Sequence, residues 1–316
     1  MTSLNAPAPR GVTPDNGPRP RRTARDRETV ALRLLRSAAR ASFDPDAELD
    51  WDAPFDKEKP FLPLERVSLY GTPFWDGLTH ARRVELSRHE LASVSAAGIW
   101  LEMCLMQLFL RFLYDVDPRT AHAQFGLTEV GDETRHVVMF AKLMERLGTP
   151  VYGPPAPVRN IGRLFKALGS GPSMWAVFLV GEEIFDRMQR AAMADTLVQP
   201  LIREISRIHV VEEARHVRYA RAEIERSVRG LGRTALARHR LVAAVGATAT
   251  LEFMIDPEVY RCVGLEPAEG RAMALANPHH LATRHWLGAK IVPFLDELGL
   301  ISGPGAALWR RAGLIQ

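Results

Sequence analysis

A glutamate and histidine motif occurs twice in this chain of 316 residues, and it restricts the possible fold more than any other feature. Residues 132–136 read Asp-Glu-Thr-Arg-His, and residues 212–216 read Glu-Glu-Ala-Arg-His, so both contain Glu-x-x-His. On a helix, residues three positions apart lie on the same face, so each copy would aim a carboxylate and an imidazole at one point. His209 lies four residues before Glu213 and would share the second of these faces.

Each motif is preceded at equal distance by another glutamate. Glu102 lies 31 residues before Glu133, and Glu182 lies 31 residues before Glu213. A single Glu-x-x-His is weak evidence, because it arises by chance about once in a protein of this size. Two copies with matched spacing predict a two-metal site inside a four-helix bundle, in which two helices supply Glu-x-x-His and two supply one glutamate each.

The choice of Glu182 depends on its neighbours. Glu182 continues an apolar stripe, and a carboxylate on such a face is costly to bury unless it is paired or binds metal. The adjacent Glu183 shares its face with Arg187 and Arg190, which is more typical of a solvated surface. Glu182 is therefore the predicted ligand, and Glu183 is the alternative.

Carboxylate and imidazole ligands without a thiolate suit iron or manganese. His209 could be a ligand or a packed core histidine, and the spacing from Glu213 favours the ligand. The predicted ligands are Glu102, Glu133, His136, Glu182, His209, Glu213 and His216.

Four further residues are predicted to surround these ligands. A histidine that binds metal usually donates its other ring N–H to a carboxylate. The hypothesis is that Asp132 orients His216 and Glu212 orients His136. Arg135 and Arg215 would then balance the charge of these two carboxylates.

The rest of the chain predicts an all-α protein. Residues 1–27 contain six arginines with Pro and Gly, and they are interpreted as a disordered basic tail, since no nucleic-acid motif accompanies them. Residues 28–316 are predicted to form a single domain. Its Pro- and aromatic-rich segment 42–79 would wrap around the bundle. Helices are predicted at 28–41, 80–114, 119–147, 160–168, 173–195, 200–228, 233–254 and 280–298.

The sequence also suggests a compartment. The two cysteines, Cys104 and Cys262, form no disulfide framework, and the start of the chain lacks the apolar core of a secretory signal. No apolar stretch reaches the ~18 uncharged residues of a membrane span. We therefore expect a soluble cytoplasmic protein that binds neither membrane nor nucleic acid.

The two motifs carry a resemblance. Paired Glu-x(about 30)-(Asp/Glu)-Glu-x-Arg-His motifs resemble those of ferritin-like di-iron oxygenases and acyl-carrier-protein desaturases. The additional His209 is similar to the p-aminobenzoate N-oxygenase family, and the resemblance covers about residues 85–225. All seven predicted ligands match ligand positions of that family. Glu212 departs from the motif, which prefers Asp there.

The resemblance implies a function. It implies a ferritin-like four-helix bundle with additional N- and C-terminal helices, and two iron ions, for which manganese could substitute. With O₂ as co-substrate, the enzyme would convert an arylamine through hydroxylamine and nitroso to nitro products in secondary metabolism. It would need a small amine substrate and an external electron donor, and it could be a homodimer.

The substrate and the exact reaction stay open at this level. Residues 91–110 contain no Lys, Arg or His, so an anchor for a substrate carboxylate would have to come from Arg271, Arg284 or His285. One alternative is an acyl-carrier-protein desaturase or hydroxylase, against which His209 argues. Another is a ferritin-like protein that stores iron or removes peroxide, although such proteins usually have shorter chains. A bundle without catalytic activity would not need seven intact ligands.

Overall fold

The computed structural model describes residues 24–316, so most of the predicted tail lies outside the described residues. Within that range the chain forms helices and no strand, which confirms the all-α prediction. The α-helices are α1 Ala24–Ala38, α2 Pro45–Glu48, α3 Pro73–Asp76, α4 His80–Leu113, α5 Ala121–Leu147, α6 Ala156–Leu168, α7 Gly171–Ala194, α8 Pro200–Val228, α9 Arg233–Phe253, α10 Pro267–Ala276, α11 Pro278–Gly288, α12 Ile291–Glu297 and α13 Ala306–Arg311. Short 3₁₀ turns occupy Leu64–Arg66, Pro257–Val263 and Gly303–Gly305.

Four long helices form the predicted bundle. Helix α4 packs on α5, and α7 packs on α8; the two pairs meet through α4–α7 and α5–α8 contacts. Short connections at 114–120 and 195–199 make each pair antiparallel, while the crossover 148–170 contains α6. Helix α1 covers α5 and α8, and α9 covers α7. The bundle is thus closed on two sides by further helices.

Local signals explain where the bundle helices begin and end. The Thr79 hydroxyl caps α4 by accepting from the Arg82 N–H, and the Thr120 hydroxyl caps α5 by accepting from the Ala123 N–H. Gly148 ends α5 in the left-handed conformation at φ 59°, which favours glycine. These signals lie in the sequence itself, and the predicted bounds of the four bundle helices agree with the structure to within two residues.

The bundle core consists of two apolar layers with a polar layer between them. One layer includes Leu105, Phe109, Phe125, Trp175 and Tyr219. The other includes Leu91, Phe140, Leu143, Ile202 and Ile205. Along every bundle helix, the predicted metal ligands fall between these two layers. Water is therefore excluded from above and below the polar layer.

The wrapping segment packs against the second apolar layer, as predicted. Phe61 and Trp75 are buried, and Trp51 and Phe55 are half-buried against the same cluster. The buried Glu90 of α4 accepts hydrogen bonds from the Ser68 N–H, at 3.0 Å, and from the Ser68 hydroxyl. These contacts hold the segment on α4.

The structure differs from several of the predicted helices outside the bundle. Helix α1 spans Ala24–Ala38 instead of the predicted 28–41, and α6 begins at Ala156 instead of residue 160. The single helix predicted at 280–298 is two helices, α11 and α12. Pro293 explains this break, because it has no N–H to donate to the Ala289 carbonyl and its ring would clash with that carbonyl. The short helices α10 and α13 were not predicted.

Helix α4 is long and apolar enough, by length and composition, to cross a membrane, and it is alone in this among residues 24–316. Glu102 interrupts the apolar run of this helix, so the run still falls short of the ~18 uncharged residues of a membrane span. In addition, 56% of its most apolar window is buried inside the protein, as in the core helix of a soluble protein. This single helix is therefore weak evidence for a membrane location.

Candidate metal centre

The seven predicted ligands converge in the polar layer of the bundle. Helix α4 supplies Glu102, α5 supplies Glu133 and His136, and α7 supplies Glu182, while α8 supplies the other three. Every one of the seven side chains is at most 6% exposed. Three groups each have their potential ligand atoms within 4.8 Å of one another: Glu102, His136, His209 and Glu213; Glu133, Glu213 and His216; and Glu102, Glu133 and Glu182.

His136 and His216 have the same arrangement, each between two sets of carboxylates. The Nδ1 atom of His136 lies 2.9 Å from Glu133 Oε2, inside the cluster, and its Nε2 lies 2.8 Å from Glu212 Oε2, outside it. The Nδ1 atom of His216 lies 3.1 Å from Glu213 Oε1, and its Nε2 lies 3.3 Å from Asp132 Oδ2. Asp132 and Glu212 therefore contact the outer nitrogens of the histidines that the hypothesis assigned to them.

His209 faces the cluster through the opposite nitrogen. Its Nδ1 lies 2.7 Å from Gln189 Oε1, and its Nε2 lies 3.6 Å from both Glu102 Oε1 and Glu213 Oε1. Sequence reasoning missed Gln189. The available signal was its position on α7, seven residues after Glu182, which places both on one helix face.

The adjacent glutamates of α7 have different surroundings. Glu182 lies in the cluster beside Glu102 and Glu133. Glu183 accepts from Arg221 Nε at 2.7 Å and belongs to none of the three groups. The Glu183 carboxylate is thus already paired with the guanidinium group of Arg221. Glu182 is therefore the α7 carboxylate that faces the other predicted ligands.

A network of ion pairs borders the outer side of the histidines. Arg215 donates to Asp132 at 3.0 Å, and Arg135 also pairs with Asp132. Both arginines lie 3.7 Å from Glu212 Oε1. Two carboxylates and two guanidinium groups therefore make this network neutral.

The connection after α1 closes this network from outside. Arg215 donates to the Ala41 carbonyl at 2.9 Å, and Arg135 donates to the Ser42 hydroxyl at 3.2 Å. The Phe43 N–H donates to Glu212 Oε1 at 3.2 Å. A loop distant in sequence therefore fixes the groups that hold His136 and His216, which the motifs alone do not indicate.

Burial and neighbouring charges divide the cluster electrostatically. Burial raises the pKa of Glu102 and Glu182 well above the usual value, and the nearby carboxylates raise it further. Burial also opposes ionisation of Glu213, but the positive charge of His216 and hydrogen bonds from His136 and His216 hold its pKa well below the usual value. For His136, burial alone would lower the pKa, yet hydrogen bonds to Glu133, Glu212 and Glu213 raise it well above the usual value.

His209 differs from the other two histidines. Burial, together with the positive charge of His136, lowers its pKa to about 4. It is therefore neutral at pH 7, with a free Nε2 lone pair or proton inside the cluster.

The residues present fit two divalent cations. Three buried atoms, Glu102 Oε2, His209 Nε2 and Glu213 Oε2, have no hydrogen-bond partner. An unsatisfied buried polar atom is costly, and ligation to a metal would satisfy it. The four cluster carboxylates would balance the charge of two divalent ions. Cys104 lies two residues from Glu102, but burial raises the pKa of its thiol to about 11, so it is a poor thiolate ligand.

Glu129 is a further buried acid that sequence reasoning missed. It is 2% exposed, lies one turn before Glu133 on α5, and its Oε2 has no hydrogen-bond partner. Burial raises its pKa well above the usual value, which favours a protonated carboxyl group beside the ligand layer. Its four-residue spacing from Glu133 was the signal that could have indicated it.

A cavity of about 540 Å³ adjoins the cluster on the side of Glu102 and Glu182. It lies between α4, α6, α7 and α9, and its walls are mainly apolar. Arg271, Arg284 and His285, suggested above as substrate anchors, are not among its lining residues. Arg271 instead pairs with Glu252, and Arg284 donates to His280.

Comparison with known proteins agrees with this geometry. Curated relatives include one uncharacterized protein of Mycobacterium bovis and two of Mycobacterium tuberculosis, each 26% identical over 195 residues. These alignments cover 59% of this chain and 57% of each relative, so the chain spans little more than half the length of the relatives. A family model described as P-aminobenzoate N-oxygenase AurF matches residues 24–299. Since that match takes in most of the chain, the protein belongs to the p-aminobenzoate N-oxygenase AurF family, whose members share a ferritin-like di-iron helical fold.

Proposed function

We propose that this protein is a non-haem di-iron oxygenase that uses O₂ to oxygenate the nitrogen of an amine. The observation that supports this most strongly is the convergence of seven buried carboxylate and imidazole side chains beside a mainly apolar cavity. Membership of the family supports the reaction class. An arylamine is the proposed substrate, and hydroxylamine, nitroso and nitro compounds are the proposed products.

The residues that would hold the two ions are those of the cluster. Glu133 and Glu213 each contact both His136 and His216 and would hold the ions together with them, while His136, His209 and His216 would bind through the nitrogens that face inward. Iron is the proposed metal, with manganese as a possible substitute. A reduced di-iron centre supplies the electrons and open coordination positions that O₂ activation requires.

The protein's own groups perform supporting tasks. Glu212 and Asp132 would accept the outer ring protons of His136 and His216, which fixes ring orientation and makes the inner nitrogens better donors. The apolar cavity would exclude water from the reacting amine. Each conversion of an amine to a hydroxylamine takes up one O₂, two electrons and two protons and releases one water. A small external electron donor is therefore part of the proposal.

The competing functions differ in substrate. A desaturase would act on an acyl-carrier thioester, and an iron-storage protein would need no organic substrate. The cavity beside Glu102 and Glu182 favours an enzyme with a small-molecule substrate over storage.

The test begins with anaerobic reconstitution of the full chain with Fe(II) and measurement of bound iron. We expect two iron ions per chain. O₂ consumption and mass spectrometry of products would then be compared for a panel of para-substituted anilines and for an acyl-carrier thioester. Amine-dependent O₂ consumption with N-oxygenated products is expected. Less than one metal ion per chain, or oxidation of the thioester alone, would contradict the proposal.

A further inference from the structure

The cavity beside the cluster is elongated along α7. Its lining on α7 extends from Phe185 back to Ser173, and Glu182 and Ser173 lie nine residues apart on this wall. Nine residues of helix at about 1.5 Å per residue correspond to roughly 13 Å. Helix α9 forms the opposite wall and runs antiparallel to α7: Phe253 contacts Trp100 near the cluster, whereas His239 contacts Ser173 at the other end.

The cavity wall between the cluster and His239 is mainly apolar. It consists mostly of aliphatic and aromatic side chains and glycines, among them Leu101, Leu105, Val177, Phe178, Val242 and Gly246. The hydroxyl of Thr250 donates to the Gly246 carbonyl and is thus already bonded. Arg238 is the one lining arginine, and its side chain is exposed. A substrate lying in this part of the cavity would contact mainly apolar atoms.

His239 places one polar group at the end remote from the cluster. It is 6% exposed, and its Nδ1 lies 2.9 Å from the Ser173 hydroxyl. Among the described residues no hydrogen-bond partner contacts its Nε2. Burial lowers the pKa of His239, and Arg238 lowers it further, so the ring is neutral at pH 7. The Ser173 hydroxyl can donate to His239 Nδ1 or to the Ser170 carbonyl at 3.3 Å, so Nε2 can be either donor or acceptor.

We propose that this cavity binds an elongated, largely apolar amine whose uncharged polar group, roughly 13 Å from the nitrogen, hydrogen-bonds to His239 Nε2. The inference rests on the proposed function for the position of the amine beside Glu102 and Glu182. A hydroxyl, carbonyl or amide matches a neutral imidazole that can donate or accept. The substrate class is therefore defined by length and by a neutral distal end.

A short anionic amine would fit poorly. The carboxylate of 4-aminobenzoate is roughly half the cavity length from its nitrogen, so it would lie among apolar side chains. A charged group without a partner in such surroundings is costly to bury. No lining residue other than exposed Arg238 could pair with it when the nitrogen lies at the cluster.

The test compares three ligands by isothermal titration calorimetry under argon, with and without added Fe(II). They are 6-(4-aminophenyl)hexan-1-ol, 4-hexylaniline and 4-aminobenzoate. We expect the aminophenyl hexanol to bind at least about 100-fold more tightly than 4-aminobenzoate, given the apolar carbons it buries. His239→Leu should weaken the hexanol about 5- to 10-fold and 4-hexylaniline less than 2-fold, since only the hexanol loses a hydrogen bond.

Two variants complete the design. His285→Leu, which removes a histidine that does not line the cavity, should leave all three affinities unchanged. Val242→Phe should fill the middle of the cavity and weaken both long ligands more than 10-fold while the short 4-aminobenzoate binds as before. Equal affinity for 4-aminobenzoate, or equal loss of hexanol and hexylaniline binding in His239→Leu, would overturn the inference.

The design separates this inference from the proposed reaction. Binding under argon requires no oxygenation, so the ligand preferences can hold in a protein that shows no oxygenase activity. In the reverse case, N-oxygenation with a preference for 4-aminobenzoate would leave the proposed function intact and refute the proposed substrate class.

Discussion

The two sides of the cluster are built in contrasting ways. On the side of α5 and α8, His136 and His216 are held between inner and outer carboxylates, and Arg135 and Arg215 neutralise the outer ones. On the side of α4 and α7, Glu102 and Glu182 adjoin the apolar cavity. We call these the histidine side and the cavity side.

This contrast indicates a division of tasks. On the histidine side, the outer carboxylates are paired with arginines and hydrogen-bonded to His136 and His216 without metal. The cavity side contains Glu102 and Glu182, whose pKa burial raises well above the usual value, and this favours their protonated forms in the absence of a cation. Proton release from Glu102 and Glu182 would therefore accompany metal binding, and these two ligands are the ones beside a substrate.

The largest effect is expected for a ligand on the histidine side. Glu213→Ala removes a carboxylate that belongs to two of the three ligand groups. Bound iron should fall from two ions to fewer than about 0.2 per chain, and oxygenase activity should fall about 1000-fold or more. Glu183→Gln is the matched control, because Glu183 pairs with Arg221 outside the cluster; metal content is measured by plasma emission spectrometry. Two retained ions in Glu213→Ala would refute the ligand assignment.

The second prediction concerns the stability of the metal-free protein. Replacing a glutamate by glutamine should affect the free energy of unfolding differently on the two sides of the cluster. Glu213→Gln removes the counter-charge of protonated His136 and His216, and breaking such a buried pair costs about 3–5 kcal/mol. Burial and nearby carboxylates raise the pKa of Glu182 well above the usual value, so Glu182→Gln should change the free energy of unfolding by less than about 1 kcal/mol or increase it. Guanidinium denaturation of both variants checks this; equal losses would remove the distinction between the sides.

A smaller effect is expected from the outer carboxylates. Asp132→Asn keeps the size of the side chain but weakens its hold on His216. Metal affinity should fall about 10- to 100-fold with two ions still bound at saturation. Asp117→Asn, on the exposed loop before α5, is the control. Competition with a chelator gives the affinities, and an unchanged value would show that Asp132 only pairs with the arginines.

The smallest effect is expected for Glu90, a buried glutamate that lies outside the cluster and binds Ser68. Burial raises the pKa of Glu90 to about 7 despite its bonds from Ser68. Because the pKa of Glu90 is higher in the folded protein than its ordinary value of 4.5, the folded state favours the protonated side chain. The contribution of Glu90 to folding stability is therefore complete below pH 4.5 and is lost as pH rises through about 7.

Glu90→Gln should therefore gain stability relative to the unaltered protein by about 1.4 kcal/mol per pH unit between pH 5 and 6. Denaturant titrations at several pH values measure this difference, and iron content should remain at two ions. A difference that does not vary with pH would show that Glu90 is ionised throughout.

Much of the architecture was predictable because its signals are local. Thr79, Thr120 and Gly148 act through contacts within a few residues, so the bundle helices could be delimited from the sequence. The break between α11 and α12 was also local, at Pro293, but the apolar pattern on either side concealed it. The domain limits, the homodimer and the cytoplasmic location remain predictions.

The cluster was predictable only in part. The 31-residue spacing identified Glu102 and Glu182, because two antiparallel helix pairs of similar length place residues at this spacing opposite each other. Gln189 and Glu129 lie on the same helix faces as predicted ligands, so periodicity could have indicated them. Nothing local indicated the loop 41–43, whose contacts with Arg135, Arg215 and Glu212 join residues far apart in sequence.

The sequence by itself determined the four bundle helices and the residues that face their common axis, because helical periodicity and motif spacing are properties of each helix alone. Only the tertiary structure decided which groups surround those residues: the pairing of Glu183 with Arg221, the ion pairs around Asp132, and the cavity that ends at His239. These features depend on how α6, α9 and the loop after α1 pack on the bundle. Their positions follow from packing between distant segments, which no local pattern records.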